Sequence, residues 1–266
     1  VIDVKRLFGW LRRDHAEDGG RPRRRRLPRV GEFLVLDSSL GDPSAPLPPY
    51  DPVFEQFRVI RDQLLAIPIE RRPRVLMMTS SDDGEGKSFS AYHLGRAIAE
   101  RGDMRVLLVD ANLRSPRLHR FTEAPAYPGF AECLRGEVPP ALCAIRTEVD
   151  ALEILPGGER PGNPSELLGS DAAQDLLREF RDSYDFVLVD TPALHRFADA
   201  VAIGRFLDAA LLVVRLEHTA RPRIERSLDL LRQLDVSVLG CILTGDNTPT
   251  PASRYYAKAE HGEPVP

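Results

Sequence analysis

The 266-residue chain has no long hydrophobic run. No stretch approaches the roughly 18 to 20 apolar residues that cross a bilayer as a helix. The first residues also lack the uninterrupted apolar centre of a secretion signal, so the protein is expected to stay in the cytosol. Cysteine is scarce: Cys133, Cys143 and Cys241 are an odd number and show neither C-x-x-C nor Cys/His ligand spacing. A disulfide framework and a zinc site are therefore not expected, and buried or merely tolerated thiols are. Aromatic residues do not alternate with the arginines of the N-terminal head, which argues against base stacking and a nucleic-acid partner.

What charge there is lies unevenly. Residues 1–29 hold ten basic side chains, among them the run Arg23, Arg24, Arg25 and Arg26, against four acidic ones, while the whole chain carries a net −4. The head is thus a basic arm on an acidic body. Val4, Leu7, Phe8 and Leu11 recur at helical spacing beside Trp10, which suits a short amphipathic helix. Two readings stand open: a solvated tail, or an arm lying on anionic lipid or on a membrane partner, where each basic residue gains roughly 1 kcal/mol. Residues 38–52, with Pro43, Pro46, Pro48, Pro49 and Pro52, read as a linker, so residues 1–50 form arm and linker, 51–247 one catalytic domain and 248–266 a flexible tail.

From residue 51 onward short apolar runs alternate with longer helical patterns. Runs at 75–79, 106–109, 152–155, 186–189, 210–214 and 236–243 are continuous and rich in Val, Leu and Ile, as in strands covered on both faces. Helical periodicity fills 88–101, 171–182, 198–207 and 221–234. Alternating strands and helices predict an α/β fold with a doubly wound, mainly parallel sheet, whose ligands sit at the strands' carboxyl ends.

The first of these strands runs into Ser81-Asp82-Asp83-Gly84-Glu85-Gly86-Lys87-Ser88-Phe89, the strand, glycine-rich turn and helix order of a P-loop. Glycines let backbone N–H groups converge on phosphate and the helix N-terminus adds positive potential. Lys87 reaches the outer phosphates and the Ser88 hydroxyl can hold Mg2+. Ser81 stands where the pattern has its first glycine. Asp110 and Asp190 each close an apolar strand, so a parallel sheet would project both beside the loop, near enough to hold the cation. His93, His119 and His195 have no spaced partner and are expected to be exposed or locally bonded rather than catalytic.

These residues resemble the bacterial tyrosine kinases that regulate capsule and exopolysaccharide polymerisation, relatives of the partitioning-type P-loop ATPases. The resemblance spans about residues 51–256 and rests on five features in order. They are Glu55, Arg58 and Arg61 in E-x-x-R-x-x-R; the G-E-G-K-S loop; Asp110-Ala111-Asn112-Leu113-Arg114; Asn163-Pro164-Ser165-Glu166-Leu167-Leu168; and Asp190-Thr191-Pro192. It implies a P-loop kinase in which residues 83–89 bind ATP. Lys87, Asp110 and Asp190 would be catalytic, and Ser88, Asp110 and Asp190 would hold Mg2+. Asp110 would support the metal or take the tyrosine proton. The helix bearing Glu55, Arg58 and Arg61 would pack subunits into a ring, and each tail would offer Tyr255 and Tyr256 to a neighbour. A transmembrane chain-length regulator would be the activator, placing the protein at the inner face of the cell membrane.

Helical geometry agrees with the first feature: Val53, Phe57, Ile60 and Leu64 fall within about 60° of one another, and Glu55, Arg58 and Arg61 form a stripe elsewhere. Departures are as informative. Asn112 occupies the second acid position of Asp110-Ala111-Asn112, Asp83 replaces a proline, Ala193 replaces the second proline after Asp190, and Thr244 stands where the last strand usually ends in Asn. Losing a general base is worth typically 10²- to 10⁴-fold, which weakens transfer without preventing binding. Partitioning ATPases carry a second lysine five residues before the P-loop lysine; here that position is Asp82. Arg114 and Arg117 could touch phosphate or acceptor, and a plain surface arginine is the other reading for Arg117.

Overall fold

The computed structural model describes residues 46–246 and the strand Val35–Asp37. The basic head, the linker up to residue 45 and the tail with Tyr255 and Tyr256 lie outside the described residues. Among the described residues eight strands form one sheet: β1 (Val35–Asp37), β2 (Val75–Ser80), β3 (Val106–Asp110), β4 (Ile145–Arg146), β5 (Leu152–Leu155), β6 (Phe186–Asp190), β7 (Ala209–Arg215) and β8 (Ser237–Asp246). Their spatial order is β1-β8-β7-β2-β6-β3-β5-β4. Among them only the β4–β5 pair is antiparallel. The expected α/β, doubly wound, mainly parallel sheet is present.

Helices follow the strands as α1 (Pro52–Leu65), α2 (Lys87–Ala99), α3 (Phe130–Leu134), α4 (Pro140–Cys143), α5 (Pro164–Leu168), α6 (Asp171–Ser183), α7 (Asp199–Gly204) and α8 (Arg221–Gln233). Their starts are written locally. Asp51 accepts from Val53 N at 2.8 Å and Pro52 follows it, satisfying one orphan donor while the ring presets φ. Ser170 caps α6 in the same way.

Period-two alternation sends the strand side chains to two separate cores. On one face Leu76, Met78, Val106, Leu108 and Leu188 pack beneath α1 and α2. On the other, Val75, Met77, Leu107, Val109 and Val187 pack beneath α3, α6, α7 and α8. Each buried Leu, Val or Met contributes about 1.5–3 kcal/mol of transfer free energy. The three cysteines are free and buried within the described residues.

For function the order β2-β6-β3 matters most. It places the P-loop after β2 beside the strand-end acid of β6, and that acid beside the one ending β3. Asp190 lies in register with Met78 on one side and with Asp110 on the other.

Candidate active site

The loop between β2 and α2 is built around two left-handed glycines. Gly84 has φ +76 and a Cβ there would meet nothing within 4 Å, whereas Gly86 has φ +91 and a Cβ would lie 3.3 Å from Thr244 Cγ2. Gly86 is also the N-cap of α2, and no side chain caps that helix. Its first amides are thus left for an external acceptor, and the helix end carries positive potential.

Lys87 is 7% exposed and its Nζ donates to Ser80 Oγ at 2.9 Å. Burial lowers its pKa, and the charges of Asp190 and Glu85 oppose that. The Ser88 hydroxyl donates to Asp190 Oδ2 at 2.5 Å. Asp190 is fully buried, and its other oxygen, Oδ1, has no hydrogen-bond partner. Burying a carboxylate oxygen without a partner is costly, so a cation or a cation-bound water fits there. Burial raises the pKa of Asp190 and of Asp110, the latter also through the charge of Asp190. A divalent cation between the strand ends would relieve both effects. Among the described residues no three His, Cys, Asp or Glu side chains form a metal cage. Mg2+ beside a nucleotide needs no such cage, because phosphates and water supply most ligands.

Asp110 is placed differently from a free base. Its Oδ1 accepts from Asn112 N at 3.2 Å, and its Oδ2 from Arg117 N at 2.7 Å and Leu118 N at 2.9 Å. Its buried carboxylate anchors the following loop, which leaves Asp190 Oδ1, rather than an Asp110 oxygen, unclaimed.

The remaining P-loop side chains face away from a phosphate. Glu85 is fully buried; it accepts from Ser81 N at 3.0 Å and from the Thr219 hydroxyl, and burial raises its pKa. Only the backbone of Glu85 can serve a nucleotide. Phe89 turns its ring toward α1, 4.4 Å from His93 and 6.1 Å from Phe57 between centroids. Asp83 pairs with Arg196, and Asp82 with Arg223 at 3.3 Å. Thr244 Oγ1 donates to Glu85 O at 2.9 Å, so the residue that replaces an Asn holds the loop from below.

Several partners have no motif to announce them. Ser81, the residue in the first glycine position, exchanges a 2.8 Å hydrogen bond with Ser227 of α8, and Ser227 Oγ lies 2.9 Å from His195 Nε2. Arg114 does not face the phosphate site; it makes two bonds to Asp199, at 2.7 and 3.1 Å, and lies 4.1 Å from the Phe197 ring centroid. The Ser165 hydroxyl also bonds Asp199, so two sequence motifs meet on a carboxylate that belongs to neither. Its only local signal was an Asp at the start of a helix.

The stripe on α1 is engaged within the chain. Arg58 binds Glu55 and reaches Glu100 at 3.1 Å, and Arg61 donates to Ala97 O at 3.2 Å, a carbonyl near the C-terminus of α2. The sequence left this stripe open for a partner; in the monomer its arginines hold the end of α2.

A glycine-rich turn between a parallel strand and an uncapped helix, with a buried acid bonded to its serine, defines a P-loop nucleotide-site architecture. No protein-family model matches the chain. The solved kinase domain of Escherichia coli tyrosine kinase ETK is 32% identical to it, with a TM-score of 0.68, over 73% of this chain and 75% of that one. The chain belongs to the bacterial tyrosine kinases. It is also similar to the chimerical protein CapA2B2, with 27% identity, a TM-score of 0.74, and 84% of this chain and 96% of that one covered. The curated tyrosine-protein kinase etk of Escherichia coli is 32% identical over 80% of this chain but only 28% of its own length. The chain spans about a quarter of the length of the first curated relatives it matches.

Proposed function

We propose that the chain is an ATP-dependent tyrosine autokinase of a capsule or exopolysaccharide export system, phosphorylating Tyr255 and Tyr256 of a neighbour's tail within a ring. The observation that carries this reading is the group Lys87, Ser88 and Asp190 at an uncapped helix start, with one buried Asp190 oxygen unsatisfied. Backbone amides of residues 84–88 would cradle the phosphates, and Lys87 would neutralise them. Ser88 and Asp190 would hold Mg2+, which supplies charge neutralisation at the outer phosphate oxygens. Phosphoryl transfer depends mainly on positioning and electrostatics, and these residues provide both.

A transmembrane chain-length regulator would activate the kinase from the membrane, with the basic arm on anionic lipid and the kinase at the cytoplasmic face. Among the described residues no helix is long and apolar enough to cross a membrane. Asp82, paired with Arg223, argues against a partitioning ATPase, because a carboxylate cannot neutralise phosphate across a dimer interface.

Intact mass after incubation with Mg2+ and ATP tests the reading: wild type gains phosphate, and Lys87→Ala does not. Absence of any Lys87-dependent gain, with a membrane activator present, sinks the kinase. A second reading, a degenerate subunit that binds ATP with little transfer, is favoured by Asn112 beside Asp110. It requires Asn112→Asp to raise turnover strongly.

A further inference from the structure

The cations around the loop are nearly all committed. Arg114 is held by Asp199, Arg196 by Asp83, and Arg223 by Asp82. Arg215 reaches the carbonyl of Gly84 at 3.4 Å. The position of a second P-loop lysine is the carboxylate Asp82. A nucleoside triphosphate brings one more negative group than a diphosphate, and within the loop itself Lys87 is the cation that can meet it.

Arg117 is the exception among these arginines. Its residue is exposed, and its backbone is fixed while its guanidinium shows no ion-pair partner among the described residues. Asp110 Oδ2 takes the amides of both Arg117 and Leu118, so the buried acid at the end of β3 sets where Arg117 stands. Asp110 is in register with Asp190, which bonds Ser88. Arg117 therefore rises from the same carboxyl edge as the loop. Its charge reaches the site: burial governs both neighbours, pulling Lys87 down and pushing Asp190 up in pKa, and Arg117 lowers each of them through space.

We infer that Arg117 reads the terminal phosphate of the bound nucleotide, its guanidinium binding the nonbridging γ-oxygens of a triphosphate that a diphosphate lacks. This rests on the nucleotide-site reading above. During transfer the γ-phosphorus leaves the bridging oxygen of the diphosphate and bonds the tyrosine Oη, whose proton passes to a base or to solvent. Arg117 makes and breaks no bond in that step; it neutralises charge on the oxygens that move with phosphorus. Asp110 acts through Arg117 as a positioning residue.

Calorimetry on the full chain with Mg2+ tests this, comparing ADP with a non-hydrolysable ATP analogue. Arg117→Ala should lose about tenfold or more in affinity for the analogue, as expected for one charge-assisted bond, and stay within about twofold for ADP. Arg117→Lys keeps the charge without the fork and should recover part of the loss. Arg120→Ala removes an equal charge from the same segment and should change neither affinity. Equal losses for both nucleotides, no loss for either, or the same loss in Arg120→Ala overturns the inference while leaving the nucleotide site standing. Wild type that takes up neither nucleotide overturns that site, and this inference with it.

Discussion

His93 is fully buried among Phe54, Phe57, Phe89, Tyr92 and Phe121, and neither ring nitrogen has a hydrogen-bond partner. Burial, then the charge of Arg96, takes its pKa from 6.5 down to about 3. The folded value lies below the unfolded one, so between those limits the unfolded chain binds a proton that the native ring refuses. Stability from the neutral ring is complete above pH 6.5 and falls as pH drops, by up to about 1.4 kcal/mol per unit. His93→Leu should flatten that part of the acid limb in urea unfolding followed from pH 7 to pH 4; an unchanged slope refutes the assignment. The Ser81–Ser227 pair makes a second residue-level claim. Both side chains are fully buried, so Ser227→Ala strands the Ser81 hydroxyl and should cost about 1–3 kcal/mol. Ser81→Ala added to it should recover part of that loss, because the two share one bond while Ser227 also bonds His195 and Arg223 O; additive losses would show that the shared bond does not matter. Lys87 and Ser88 were legible from sequence because the P-loop motif fixes their spacing, and Asp190 because it closes an apolar strand of a parallel sheet. Ser227 and Thr219 were not, since each reaches the loop from a segment distant in sequence with no motif to mark it, and neither was Asp199, which holds Arg114 away from the loop.

At the level of elements, the apolar runs located the buried strands well, and their ends shifted by at most three residues, because central parallel strands are hydrophobic on both faces. Val35–Asp37 escaped notice. It is a three-residue edge strand paired only with β8, too short to show a period. Helices α1, α2, α6 and α8 were marked by apolar spacing and by turn residues at their ends, whereas the short helices α3, α4 and α5 span too few residues to show a period, although Pro140 and Pro164 open two of them. The P-loop shows how an element fixes a residue. Gly86 needs glycine on two grounds, its φ of +91 and the Thr244 methyl 3.3 Å from a would-be Cβ, while Gly84 needs it on φ alone. Gly86→Ala should therefore weaken nucleotide binding more than Gly84→Ala, which carries only the roughly 1–2 kcal/mol of left-handed strain. Adding Thr244→Ser to Gly86→Ala removes the methyl contact but leaves the backbone cost, so affinity should return only in part. Full recovery in calorimetry would show that φ is not limiting; none would show that the contact is irrelevant.

For the molecule as a whole, the two cores lie on opposite faces of one sheet, and α1 belongs to the face that also carries α2. Its arginines can therefore report on assembly as well as on the monomer. Arg58 is shared between Glu55 and Glu100, and the side chains of Arg58 and Glu100 keep 26% and 22% of their exposure. An ion pair this accessible contributes only about 0–1 kcal/mol, so a neighbouring subunit offering a better-placed carboxylate can draw Arg58 away at little cost. In the proposed ring Glu100 then competes with the partner for Arg58, and the two residues should act in opposite directions. Arg58→Ala should shift the population toward monomer in sedimentation velocity. Glu100→Gln removes one of the two carboxylates that hold the guanidinium, leaving Glu55, and should shift the population toward the assembly, by roughly fivefold for 1 kcal/mol. Both shifts should shrink as salt is raised, because partly exposed charges are screened. If Glu100→Gln instead loosens the assembly together with Arg58→Ala, the Arg58–Glu100 bond is a brace that keeps α1 in place on α2. The ring would then have to be held by other residues of that helix.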